Sequence, residues 1–142
     1  MEIVDFFQNT IKKSYVINLR DSIYRYNHII FEFSKYNISN FSVEKAVSIL
    51  DEEVKNKYKN NQIFPYPPCF RCGYKICNHN NNIITPSQVG NFLSFRNIMK
   101  KVSVSENGLY AIFEDDFFFK ENIKYSISKI SKIIKRNNLI NS

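Results

Sequence analysis

The 142-residue sequence predicts an α/β domain, a mostly parallel sheet flanked by helices. Three observations predict it. Two short runs of β-branched and aromatic residues, at 14–19 and 109–113, have the composition of buried strands. The stretches between them carry apolar residues at helical spacing. The resulting order, β-α-β-α-(loop)-α-β-α, layers strands between helices.

The first run is Ser-Tyr-Val-Ile-Asn-Leu, residues 14–19. Asp21 and Ser22 can cap the helix that follows. In that helix Ile23, Tyr26, Ile29, Ile30, Phe33 and Tyr36 form a core face, with Arg25, His28, Glu32 and Lys35 outside. Phe41, Val43, Lys45 and Val47 alternate as in a strand to about residue 47, followed by a helix over 51–58; the alternative is a helix through the stretch, since Val43, Ala46, Val47, Leu50 and Val54 also recur at helical spacing. Residues 60–82 form a long polar loop holding three of the four prolines and every cysteine; loops of that length inside a compact domain are usually functional or stapled. Thr85-Pro86-Ser87-Gln88 is the clearest helix start: Thr85 caps, Pro86 takes the first helical position and Gln88 completes a capping box. Val89, Phe92, Leu93, Met99 and Val102 mark its apolar face, and Asn107-Gly108 makes a turn. The second buried-type strand, 109–113, runs straight into Glu114-Asp115-Asp116. A last helix over 122–136 carries the stripe Ile123, Ile127, Ile130, Ile134 and a lysine face.

The chain reads as a single domain over residues 1–142. Hydrophobic residues are 44% and include thirteen Phe and nine Tyr, which excludes a disordered chain. The net charge of +7 permits an anionic partner, but Lys outnumbers Arg, the sharper marker of phosphate recognition. No stretch approaches the ~20 apolar residues of a membrane span, and the N-terminus has no signal-peptide pattern, so a soluble, cytoplasmic protein is expected.

Three adjacent acids at the end of a hydrophobic strand, followed by Phe117-Phe118-Phe119, are the strongest site signal. Buried carboxylates are costly without a compensating cation. The carboxyl ends of strands in open α/β sheets form the ligand crevice. Acids there suit Mg²⁺ or Mn²⁺ holding a diphosphate; the alternative is a solvated acidic turn. Cys69, Cys72, Cys77 and His79 form a second constellation, C-x₂-C-x₄-C-x-H, that suits a structural Zn²⁺ stapling the loop; the alternative is three free thiols and a surface histidine.

Three ordered segments resemble glycosyltransferase family 25, which includes lipooligosaccharide-biosynthesis and procollagen galactosyltransferase-like enzymes. Tyr15-Val16-Ile17-Asn18-Leu19 with the later Arg25 is similar to the family's opening strand. Ile84-Thr85-Pro86-Ser87-Gln88-Val89-Gly90-Asn91-Phe92-Leu93-Ser94 is similar to its L-T-P-G-E-I-G-C-x-L-S-H helix. Tyr110-Ala111-Ile112-Phe113-Glu114-Asp115-Asp116 is similar to its A-L-I-L-E-D-D strand and DxD-like metal motif. The resemblance implies a Rossmann-like fold of the glycosyltransferase A type, a nucleotide-sugar donor such as UDP-galactose, Mn²⁺ or Mg²⁺, and a glycan or protein acceptor. By that resemblance Asn18, Leu19, Arg25, Gly90, Ser94, Glu114 and Asp115 line the donor, and Asp116 with Glu114 holds the metal. The sequence departs from the pattern at Phe95, where the family has His, at Tyr24, where it has an acid, and at Ala46-Val47-Ser48-Ile49, where it has A-V-D-G. It ends one helix after the metal motif, short of the family's C-terminal part, which suits a chain working with a second one as a homo- or hetero-oligomer. The alternatives are an inactive remnant that serves as a nucleotide-binding or interaction module and, less favoured, a zinc-containing basic nucleic-acid binder.

Overall fold

A computed structural model describes residues 2–19, 21–63, 72–74 and 84–137. The described chain falls into two compact units, Met1–Lys45 with Asn97–Ser142, and Ala46–Arg96.

The first unit is built on a three-stranded, all-parallel sheet, β1 (Ile11–Asn18), β2 (Phe41–Lys45) and β3 (Leu109–Glu114), in the order β2-β1-β3. Val16 is in register with Val43 on one side and Phe113 on the other. The flanking helices make this an α/β arrangement consistent with a Rossmann-like fold, as the sequence predicts. β1 is buried from Ser14 to Asn18, on both faces, as the central strand of a parallel sheet must be. On one face Val16, Val43 and Phe113 pack with Ile29 and Phe33 of α2 (Ile23–Ser34) and with Ile127 and Ile134 of α5 (Ile123–Arg136). On the other face Tyr15 and Ile17 are also buried, and Tyr15 stacks on Tyr110 with ring centroids 6.3 Å apart.

The sequence pattern predicts no element before residue 14. There the chain forms α1 (Ile3–Asp5) and a π-helical stretch (Phe6–Thr10), and Ile3, Phe6, Phe7 and Ile11 are buried in the core. Phe7 meets Phe119 at 5.6 Å and Phe113 at 6.3 Å, so this segment closes the bottom of the aromatic cluster around β3.

The second unit holds α3 (Glu52–Lys59) and α4 (Pro86–Ser103) up to Arg96. Val54, Val89 and Leu93 form its small core, with Val47, Tyr58, Ile63 and Ile84 packed against it. The expected capping box forms in both directions. Thr85 N–H donates to Gln88 Oε1 at 2.8 Å, and Gln88 N–H donates to Thr85 Oγ1 at 3.4 Å.

Three expected apolar faces need correction. Ile23 (72% exposed), Tyr26 and Ile30 of α2 face solvent, whereas Glu32, expected outside, is 2% exposed. Phe92 and Met99 of α4 and Ile130 of α5 are exposed, while Ile98 and Ser131 are buried in their helices. Ser22 does occupy the N-cap position of α2, but its side chain makes no capping hydrogen bond. The shared cause is that a helical period identifies a stripe without saying how much of it a small core can cover.

Candidate donor site at the carboxyl edge of the sheet

The three strands run parallel, so their carboxyl ends, Asn18, Lys45 and Glu114, lie along one edge. The chain passes from β1 to β2 on one side and later to β3 on the other, so the strand order reverses at β1. That reversal is where open α/β sheets form their ligand crevice.

Two side chains from distant parts of the sequence meet Asp115 at this edge. Asn18 Nδ2 donates to Asp115 Oδ2 at 2.9 Å, and Arg25 Nη1 donates to Oδ1 at 2.6 Å. Asp115 is buried at 6% exposure, and a buried carboxylate with both oxygens bonded is the satisfied form of an otherwise costly group. The hydrogen bond and charge of Asp115, with Asp116 at longer range, hold the half-exposed Arg25 guanidinium more firmly protonated than usual. Asn18, the last residue of β1, and Asp115, directly after β3, thus lie at the same edge, and Arg25 joins them from α2.

A cavity of about 380 Å³ opens at the same edge, lined by Asn18, Ile23, Tyr26, Val43, Glu44 and Lys45. Its volume falls within the range of small-molecule pockets, roughly 300–1,000 Å³. It also explains why Ile23 and Tyr26 are exposed on a helix whose pattern places them in the core: they form one wall of the cavity. Sequence reasoning missed these two residues and Lys45 as site residues, because an apolar residue on a helical stripe reads first as core.

The segment after the acids is held by α2. His28 Nε2 donates to the Phe117 carbonyl at 2.7 Å, which requires the proton on that nitrogen. Glu32 Oε2 accepts the Phe119 N–H at 2.9 Å, and its other oxygen pairs with Lys35. Burial pushes the Glu32 carboxyl up, but Lys35, the Phe119 N–H and His28 outweigh it and leave the group below the usual carboxylate range. His28, expected on a solvated face, is therefore half-buried and bonded. Phe117 and Phe119 turn inward onto Phe33, at 5.2 and 5.7 Å, while Phe118 is exposed.

Glu114 and Asp116 are exposed, and neither makes a side-chain hydrogen bond or ion pair with a described residue. Among the described residues no three His, Cys, Asp or Glu side chains converge as a ready-made metal cage. This donor set fits Mg²⁺ or Mn²⁺, which are held by one or two carboxylates and take their remaining oxygens from phosphate and water.

Leu19 follows β1 half-exposed, and its carbonyl accepts the Ser22 N–H at 3.0 Å. Gly90 and Ser94 lie in the second unit, where they do serve a close approach, to the backbone at Val47. A Cβ on Gly90 would stand 2.5 Å from the Val47 carbonyl oxygen. Ser94 Oγ accepts the Val47 N–H at 2.8 Å and donates to the Gly90 carbonyl at 2.8 Å. Of the expected zinc ligands, Cys69, Cys77 and His79 lie outside the described residues; Cys72 is half-buried and not in a disulfide. No described helix is long and apolar enough to cross a membrane.

No curated protein and no solved structure matches the chain. The family model for Glycosyltransferase family 25 (LPS biosynthesis protein) matches residues 11–142. That span begins with β1 and takes in Asn18, Arg25, the capped helix α4 and the acidic strand end, the same segments that carry the resemblance in the sequence. The chain belongs to glycosyltransferase family 25.

Proposed function

We propose that the protein binds a nucleotide-sugar donor, a UDP-hexose such as UDP-galactose, at the carboxyl edge of its sheet and transfers the sugar to a glycan or protein acceptor. The observation that supports the reading is Asn18, which lines the cavity and also bonds the buried Asp115, so the cavity and the acidic strand end have one residue in common. Ile23 and Tyr26 offer an apolar wall against which a base or sugar ring can lie. Lys45 in the lining, and Arg25 bonded to Asp115, supply positive charge for a diphosphate. Asp116, with Glu114 two residues before it, would hold Mn²⁺ or Mg²⁺, which when bound supplies Lewis-acid stabilisation to a diphosphate leaving group. Asp115 serves differently, keeping Arg25 and Asn18 oriented. The resemblance also assigns Gly90 and Ser94 to the donor, but the reading of the carboxyl edge does not depend on them.

Binding without transfer is the second reading, favoured by Phe95 and Tyr24, which stand where the family has His and an acid. Calorimetric titration with UDP-galactose, with and without Mn²⁺, tests the shared part: Mn²⁺-dependent binding is expected, and its absence at millimolar ligand sinks both readings. Transfer of labelled galactose to a glycan or protein acceptor then separates enzyme from binder.

A further inference from the structure

Arg25, His28 and Glu32 are spaced three and four residues apart and so share one face of α2. Each holds an alternate position of the segment after β3. Arg25 holds Asp115 at 2.6 Å, His28 holds the Phe117 carbonyl at 2.7 Å, and Glu32 holds the Phe119 N–H at 2.9 Å. The segment is also anchored by its aromatic rings, since Phe117 and Phe119 pack on Phe33 and on Phe113. Rings in an apolar cluster fix where a segment lies but leave its peptide planes free to rotate. Hydrogen bonds to one carbonyl and one N–H remove that freedom. Glu32 is almost fully buried to make its bond, where an apolar side chain would pack among the phenylalanines without the desolvation cost.

We propose that His28 and Glu32 are positioning residues of the donor site, fixing the backbone at Phe117 and Phe119 and through it the direction in which Asp115 and Asp116 are presented. The proposal rests on the donor-site reading above. Neither residue lines the cavity. The Phe117 N–H closes the turn onto the Glu114 carbonyl at 3.2 Å, and the Phe117 carbonyl that His28 holds is one peptide further on, so His28 steadies the exit of the turn that carries Asp115 and Asp116.

The test uses His28→Leu, which removes the donor, and His28→Gln, whose carboxamide N–H can replace it. Mn²⁺-dependent UDP affinity is measured by calorimetry and folding by thermal melting. The leucine variant is expected to melt as a folded protein but bind UDP roughly tenfold more weakly, the usual cost of losing a group that orients a metal-site carboxylate, with glutamine restoring most of the affinity. A leucine variant that melts earlier yet binds UDP at wild-type affinity would make the contact purely structural and overturn the proposal, as would glutamine failing as badly as leucine. If His28→Leu does not fold, Glu32→Asp, which keeps the charge but withdraws it from Phe119, takes its place with the same two outcomes. If wild-type protein does not bind UDP at all, the donor reading fails separately. Amide hydrogen exchange at Phe117 and Phe119, whose N–H groups are bonded, then decides: faster exchange in His28→Leu and recovery in His28→Gln supports positioning, and unchanged exchange overturns it.

Discussion

Two helices of this protein hold backbone in opposite ways. α2 reaches out with long polar side chains, and Arg25, His28 and Glu32 grip the turn after β3 and the residues that leave it by a carboxylate, a carbonyl and an N–H. α4 in the second unit has at Gly90 no room for a side chain at all, and Ser94, one turn on, spends its hydroxyl on the same neighbour, Val47. The first arrangement tolerates distance and fixes direction; the second fixes distance and leaves no tolerance. A polar stripe on a helix is therefore no proof of a solvated face, and a glycine inside a helix marks a close approach without naming what approaches.

The sharpest way to break this contrast is Gly90→Ala. Helix propensity alone favours alanine by about 1 kcal/mol. The methyl would collide with the Val47 carbonyl oxygen, so the substitution should instead destabilise by about 2–3 kcal/mol, read from urea denaturation. A stabilised variant would show that the approach is loose.

On α2 the informative change is Glu32→Gln, expected to cost about 1–2 kcal/mol at neutral pH because it removes the charge paired with Lys35 while keeping an acceptor for Phe119. The pH dependence carries the sign. The folded-state pKa of Glu32 is lowered, so its contribution is complete above the unfolded value, about 4.3, and is lost as pH falls through the folded one. Urea midpoints of the wild type should fall in that acid window, and those of Glu32→Gln should fall less.

The smallest effects lie at the helix starts. Thr85→Ala breaks a formed capping box and should cost about 1 kcal/mol, whereas Ser22→Ala, at an N-cap whose side chain bonds nothing in the helix, should cost at most a few tenths. Equal losses at the two positions would contradict the geometry.

What could be read in advance follows the same division. The strands, the start of α4 and the acidic strand end are local signals, carried by β-branched runs, a four-residue cap and three adjacent acids, and they were legible. That Asn18 and Asp115 share an edge is legible, because parallel topology brings the carboxyl ends of β1 and β3 together; the bond from Arg25 comes from α2 and is not. His28 and Glu32 read as solvent-facing because their partners lie 89 and 87 residues away, and nothing local marks them apart from the spacing with Arg25. Ile23 and Tyr26 read as core because a cavity wall and a core share the same residue types. The N-terminal segment is not legible because Lys12 and Lys13 interrupt the strand pattern and a π-helical stretch of 5 residues is too short to show a period.

In the proposed site Asp115 organises Asn18 and Arg25, and Asp116 holds the metal. Thermal melting of wild type and Asp116→Asn, each with and without Mn²⁺ and UDP, tests it most directly. Asp116 is exposed and bonds no described residue, so Asp116→Asn alone should melt close to wild type. Mn²⁺ and UDP together should stabilise the wild type by at least ~1 kcal/mol at several-fold excess over the dissociation constant, and the substitution should abolish that shift. No Mn²⁺-dependent shift in the wild type, or one that survives in Asp116→Asn, would rule out Asp116 as the residue that holds the metal.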